Sequence, residues 1–130
     1  MKHLIEVILE SKINQECEIT NIKRHGEGYL KIEGETTTVF FKTKDDKYKY
    51  VYRDNELEII KDDAYKIGLN KDKKCDFRFE FDGYSLMGAS ETTVLDVEEG
   101  KVETSYSLFI NGSKIGDYQS KLTYNIKRSK

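Results

Sequence analysis

The stretch Val102-Glu103-Thr104-Ser105-Tyr106-Ser107-Leu108-Phe109-Ile110-Asn111-Gly112-Ser113-Lys114-Ile115-Gly116-Asp117-Tyr118-Gln119-Ser120-Lys121-Leu122-Thr123-Tyr124-Asn125-Ile126 decides the fold class. Val102, Thr104, Tyr106, Leu108 and Ile110 alternate with Glu103, Ser105, Ser107 and Phe109. After the break, Tyr118, Ser120, Leu122, Tyr124 and Ile126 alternate with Gln119, Lys121, Thr123 and Asn125. Period two over such lengths marks strands with one buried face. Between the runs, Asn111-Gly112 is the pair that accepts positive φ at both central positions of a type I′ turn. The stretch is a long β-hairpin, with a bulge or corner expected near Gly116.

The same test runs outward along the chain, because residues opposite each other across a tight turn share a face. A turn at Asp45-Asp46 sets Val39 and Phe41 opposite Tyr52 and Tyr50. A turn at Asp54-Asn55 then sets Tyr52 and Tyr50 opposite Leu57 and Ile59, so both turns choose the same face of the same strand. A loop over Asn70 to Lys74 sets Leu69, Ile67 and Tyr65 opposite Cys75, Phe77 and Phe79. Asp82-Gly83 sets Phe81 and Phe79 opposite Tyr84 and Leu86, and Glu99-Gly100 sets Val97 and Leu95 opposite Val102 and Thr104. Upstream, Glu33-Gly34 turns the chain, and a loop over Glu10 to Glu16 sets Leu9 and Val7 opposite Cys17 and Ile19. A register shift is expected between Asn21 and Gly28.

Composition agrees with a chain of short strands. Of 130 residues, Val, Ile, Thr, Tyr and Phe number 42, whereas Ala occurs twice and Pro never. Disordered chains lack such residues, and so few Ala speak against a helical bundle. The length suits a single domain spanning 1–130. Sequential antiparallel strands with one apolar face must curl or split, and an up-and-down meander closes most simply as a barrel without exposed edges. The expectation is an all-β, single antiparallel up-and-down β-barrel of about 8–10 strands; a two-sheet sandwich is the alternative.

Charge and cysteine usage exclude several functions. Lys plus Arg is 22 and Asp plus Glu is 24, for a formal charge of −2. A nucleic-acid binder shows a basic excess, and this chain shows none, so nucleic acid is not an expected partner. Cys17 and Cys75 are far apart and have no clustered His, so no metal site and no cofactor are expected; two free thiols fit a reducing cytoplasm. No apolar run reaches the ~18 residues of a membrane span. The first ten residues lack a cleavage site and are broken by Glu6, so they are not read as a signal peptide.

The inward parity collects aromatic residues. Eight of nine Tyr (Tyr48, Tyr50, Tyr52, Tyr65, Tyr84, Tyr106, Tyr118 and Tyr124) fall inside, leaving Tyr29 outside; Thr93, Thr104 and Ser120 join them. A buried phenol needs a hydrogen-bond partner or water. A barrel of this size is either filled by side chains or holds one small ligand. If it holds one, the expected lining is Phe41, Tyr50, Tyr52, Phe77, Phe79, Tyr106, Tyr118 and Tyr124, and the ligand is a small amphipathic molecule.

The run Gly100-Lys101-Val102-Glu103-Thr104-Ser105-Tyr106-Ser107-Leu108, with Lys121-Leu122-Thr123-Tyr124-Asn125-Ile126-Lys127, resembles the C-terminal hairpin of the YwiB-like family. These are small uncharacterised bacterial proteins with a calycin-like (lipocalin-like) barrel. The resemblance implies that fold and no reaction. Where the family pattern has an Arg-x-Gly turn, this chain has Asn70-Lys71-Asp72, so no Arg-dependent role is carried over.

The remaining polar motifs read as surface. The doublets Asp45-Asp46, Asp62-Asp63 and Glu98-Glu99 fall at turns. His3 and His25 have no sequence neighbour to act with as a general base. His25-Gly26-Glu27-Gly28 precedes no helix and is not a phosphate loop. Catalysis is not expected. On the outside, Lys42, Lys44, Lys47, Lys49 and Arg53 form a solvated basic stripe, while Leu4, Ile8, Phe40, Val51, Ile60 and Phe109 are apolar. If these apolar residues cluster on a solid barrel, the alternative function is an interaction module or homodimer that uses its outer face.

Overall fold

The computed structural model describes residues 2–15, 17–62, 64–81 and 83–127. Ten strands follow one another: β1 (Lys2–Gln15), β2 (Glu18–Glu33), β3 (Thr36–Lys42), β4 (Lys47–Arg53), β5 (Glu56–Lys61), β6 (Tyr65–Asn70), β7 (Cys75–Phe81), β8 (Tyr84–Glu98), β9 (Lys101–Ile110) and β10 (Ser113–Ile126). Each pairs antiparallel with the next, and β10 returns to β1, so the sheet is a closed barrel. Closure excludes the sandwich. The β9–β10 hairpin turns at Asn111 (φ 52°) and Gly112 (φ 80°), with Ile110 opposite Ser113. Its bulge falls between Lys114 and Gly116.

Registers at Asp54-Asn55, Asn70–Lys74, Gly83 and Glu99-Gly100 follow the turn residues, as in Tyr50 opposite Ile59, Ile67 opposite Phe77 and Leu95 opposite Thr104. In the Asn70 loop the side chain caps the turn: Asn70 Oδ1 accepts the Asp72 amide at 2.8 Å. At Asp45-Asp46 the connection is longer, because the Thr43 amide donates to the Asp46 carbonyl and Lys42 pairs with Lys47. Val39 therefore faces Tyr50 rather than Tyr52, two residues from the expected register. A shift of two preserves the face. The turn expected at Glu33-Gly34 uses Gly34 (φ 60°) and Glu35.

Four expectations are corrected. Leu9 and Val7 face Arg24 and Gly26, not Cys17 and Ile19. The first hairpin runs on until Gln15 meets Glu18, which leaves Cys17 and Ile19 exposed. The β1–β2 register is unbroken between Asn21 and Gly28; the second bulge lies instead at Thr93, between Thr92 and Val94. That bulge turns Thr93 out and puts Thr92 inside, opposite Tyr106. Tyr84 is 71% exposed, because it pairs only with Phe81 at the β7–β8 turn, beyond Phe79, the last residue of β7 paired with β6. Glu16, Asp63 and Asp82, which belong to the expected loop and turns, lie outside the described residues.

The inward face is one continuous core that includes Ile5, Val7, Val39, Leu57, Ile67, Phe77, Val102 and Leu122. Each such side chain contributes roughly 1.5–3 kcal/mol on burial. Gly88 lets two strands and a ring pack closely. A Cβ there would run into the Phe109 carbonyl oxygen and stand 2.6 Å from the Phe77 ring. Gly88→Ala is therefore expected to destabilise the barrel by about 1–3 kcal/mol. Urea unfolding checks this: the midpoint falls with an unchanged slope, whereas an unchanged midpoint contradicts the packing.

Candidate functional site

The inward rings divide into a packed group and a pair at one end of the barrel. In the packed group, ring packs on ring. Phe41 stacks on Tyr48 with centroids 4.9 Å apart and tilts against Tyr50 at 5.7 Å. Phe77 meets Phe79 at 5.1 Å, Tyr65 meets Phe79 edge-on at 5.5 Å, and Tyr106 stacks on Tyr118 at 5.4 Å. Six of the eight expected lining residues, Phe41, Tyr50, Phe77, Phe79, Tyr106 and Tyr118, are thus in contact with other rings. Tyr48 and Tyr65 complete the group. These distances are those of favourable aromatic pairs.

Hydroxyls span this packing. The Tyr50 phenol reaches from β4 to hydrogen-bond Ser120 on β10, and Ser120 Oγ lies 2.7 Å from Thr104 Oγ1. Three strands separate β4 from β10 even by the shorter way round, so this contact crosses the interior. Ser90 Oγ donates to the Gly68 carbonyl at 2.5 Å, and Gln15 Nε2 donates to the Tyr118 hydroxyl at 2.7 Å. Thr92 Oγ1 is buried without a partner among the described residues. Burial pushes the Tyr50, Tyr65 and Tyr106 phenols far above their ordinary range, so all three stay neutral and can donate.

The other two expected lining residues, Tyr52 and Tyr124, stand apart from this group. They sit in a concavity of about 700 Å³ at the end of the barrel where β1 and β3 begin and β2, β8 and β10 finish. Leu30, Ile32, Val97 and Ile126 supply its apolar walls, and His3, Glu98 and Glu99 are among its polar residues. The Tyr124 side chain hydrogen-bonds Tyr52, making a second rung from β10 to β4. Burial comes first in raising the Tyr124 phenol, to about 12; the bond to Tyr52 and the Glu99 charge add to it, and a Gly100 backbone hydrogen bond opposes it. Sequence parity placed both Tyr residues inside; it held no sign that they would stand apart from the other rings, Tyr124 buried and Tyr52 half-buried.

On the outer face, three of the apolar residues, Leu4, Phe40 and Ile60, fall in one row with Tyr29 and Lys49. Register aligns Leu4 with Tyr29, Tyr29 with Phe40, Phe40 with Lys49 and Lys49 with Ile60. Tyr29 and Phe40 stack at 4.6 Å; the Lys2 ammonium lies 3.9 Å from the Tyr29 centroid, and that of Lys49 lies 5.3 Å from Phe40's. Knowing the turn lengths around β1 to β4 would have revealed this row. No group of three or more His, Cys, Asp or Glu among the described residues could hold a metal ion. Both cysteines are free thiols.

The raised Tyr124 value has a consequence with a definite sign. A phenol harder to ionise when folded contributes stability in full below its unfolded value of about 10, and that stability is lost as pH rises through about 12. Ultraviolet titration is expected to show Tyr124 ionising near 12 in the wild type. Tyr124→Phe should remove that step while leaving the deeper phenols to ionise only on alkaline unfolding. Loss of no step from the variant contradicts the assignment.

No protein-family model matches the chain, and no curated protein matches it. Among solved structures, the crystal structure of the ywiB protein from Bacillus subtilis is similar. The TM-score is 0.77 at 12% identity, over 98% of this chain and 94% of that one. The chain shares the fold of that protein.

Proposed function

We propose that the barrel is a non-enzymatic binder of a small amphipathic molecule, held in the mouth around Tyr52 and Tyr124. The carrying observation is a concavity of about 700 Å³ with apolar walls and a hydrogen-bonded phenol pair. Small-molecule sites combine that size, mostly apolar walls and a few placed polar groups. The packed rings below set how far a ligand can enter. The same reading groups the chain with the calycin-like barrels and the YwiB-like bacterial family, and locates it in the cytoplasm. The shared fold and the Gly100–Leu108 run support the grouping; the two free thiols support the location.

A second reading rests on the outer row Leu4–Tyr29–Phe40–Lys49–Ile60. Leu4 is 64% exposed and the row is continuous across β1 to β5, as a protein partner or a second copy requires. The lysines over its rings keep it hydrated, which favours the mouth as the primary site.

Nile red, a neutral amphiphilic dye, separates the two readings. In the wild type the dye is expected to bind with a blue-shifted emission. Val97→Arg, which places a long charged side chain in the mouth, should weaken binding by about tenfold or more. Phe40→Ser, on the outer row, should leave it unchanged. Absence of binding, or equal binding by Val97→Arg, overturns the mouth as the site. Sensitivity to Phe40→Ser alone transfers the role to the outer face.

A further inference from the structure

We propose that the molecule taken by the mouth carries a cationic head, an ammonium group on an apolar tail. This inference rests on the mouth being the binding site and adds the charge of its occupant. Lys and Arg make up 22 of the 130 residues, yet neither type lines the mouth, while Glu98 and Glu99 both do. The lysines that come near this end of the barrel are held on its outer face by other partners. Lys2 lies over the Tyr29 ring, Lys31 Nζ is 2.6 Å from Glu33, and Lys127 Nζ is 2.7 Å from Glu27.

Lys101, on the strand that follows the rim, bridges Glu98 at 3.4 Å and Glu103 at 3.2 Å on the outside. Among the described residues no lysine or arginine pairs with Glu99, which occupies the turn between Glu98 and Lys101. Its charge nevertheless reaches inward, since it helps hold the Tyr124 phenol neutral. The mouth therefore combines a carboxylate without a cation, two phenol oxygens that can accept hydrogen bonds, and aromatic rings whose faces attract cations. Leu30, Ile32, Val97 and Ile126 offer the tail an apolar wall. An anionic head in the same place would meet Glu99, which no lysine or arginine balances among the described residues; His3 is the one basic side chain of the lining, and Glu98 is already paired with Lys101. The geometry thus selects by charge at the rim and by apolar contact within.

Three amphiphiles with the same ten-carbon tail test this against the intact protein: decylamine, decanol and decanoate, each below its micelle concentration. Displacement of Nile red is the readout, at neutral pH and low salt. Decylamine is expected to displace the dye at a concentration about tenfold below that of decanol, with decanoate weakest. Glu99→Gln should bring decylamine close to decanol without weakening decanol. Equal displacement by all three, or tighter binding of decanoate, overturns the cationic head and leaves the mouth as the site. Displacement by none overturns the mouth itself, and the head-group assignment with it. A preference for decylamine that survives both Glu99→Gln and Glu98→Gln overturns the role given to the rim carboxylates.

Discussion

The structure depends on β1 being paired along both of its edges. From Ile5 to Asn14 it meets β10 on one side and β2 on the other, in registers without a break on this strand. An antiparallel strand uses alternate backbone groups for each neighbour, so only a strand with two neighbours has nearly all of them satisfied. Without the β10 ladder, the chain is an open ten-strand sheet with two long edges and its apolar face in water. With it, the face that carries Ile5, Val7 and Leu9 becomes an inside. Closure rather than any single contact gives the aromatic residues something to be enclosed by.

Once an inside exists, the two halves of the barrel can differ. The strands from β3 to β7 are six or seven residues long, whereas β8, β10, β1 and β2 run for 14 to 16. The long strands overhang one end, where Gln15 holds the Tyr118 hydroxyl and the rings from Phe41 to Tyr118 fill the space. At the opposite end Tyr52 and Tyr124 join across the opening while smaller side chains line it. One end is thus packed with rings and the other is concave. The packed rings stabilise the barrel through favourable aromatic contacts.

Much of this was legible because parity is robust. The β3–β4 connection was read two residues short, yet Val39, Phe41, Tyr48 and Tyr50 still fell on the correct face. A slip of one would have reversed them. The first hairpin failed for a different reason. Its turn includes Cys17 at φ 69°, an unusual residue for a left-handed position, and offers none of the Gly, Asn or Asp signals that marked the other turns. Tyr84 shows the other limit: parity assigns a face but says nothing of height along the barrel, and a residue at a turn past the neighbouring strand has nothing to be buried against. The bulge at Thr93 exchanged Thr93 for Thr92 with no glycine to announce it. The rungs Tyr50–Ser120 and Tyr52–Tyr124 join strands far apart in sequence, so they existed only once the circle was drawn.

Amide hydrogen exchange resolved along β1 tests the closure most directly. If β1 is paired on both edges, every amide from Ile5 to Asn14 should be protected, with no alternation from one residue to the next. If the barrel is open at this seam, β1 is an edge strand, and every second amide will exchange at nearly the rate of a free chain. That period-two pattern contradicts the closed barrel, and with it the enclosed rings and the mouth they leave.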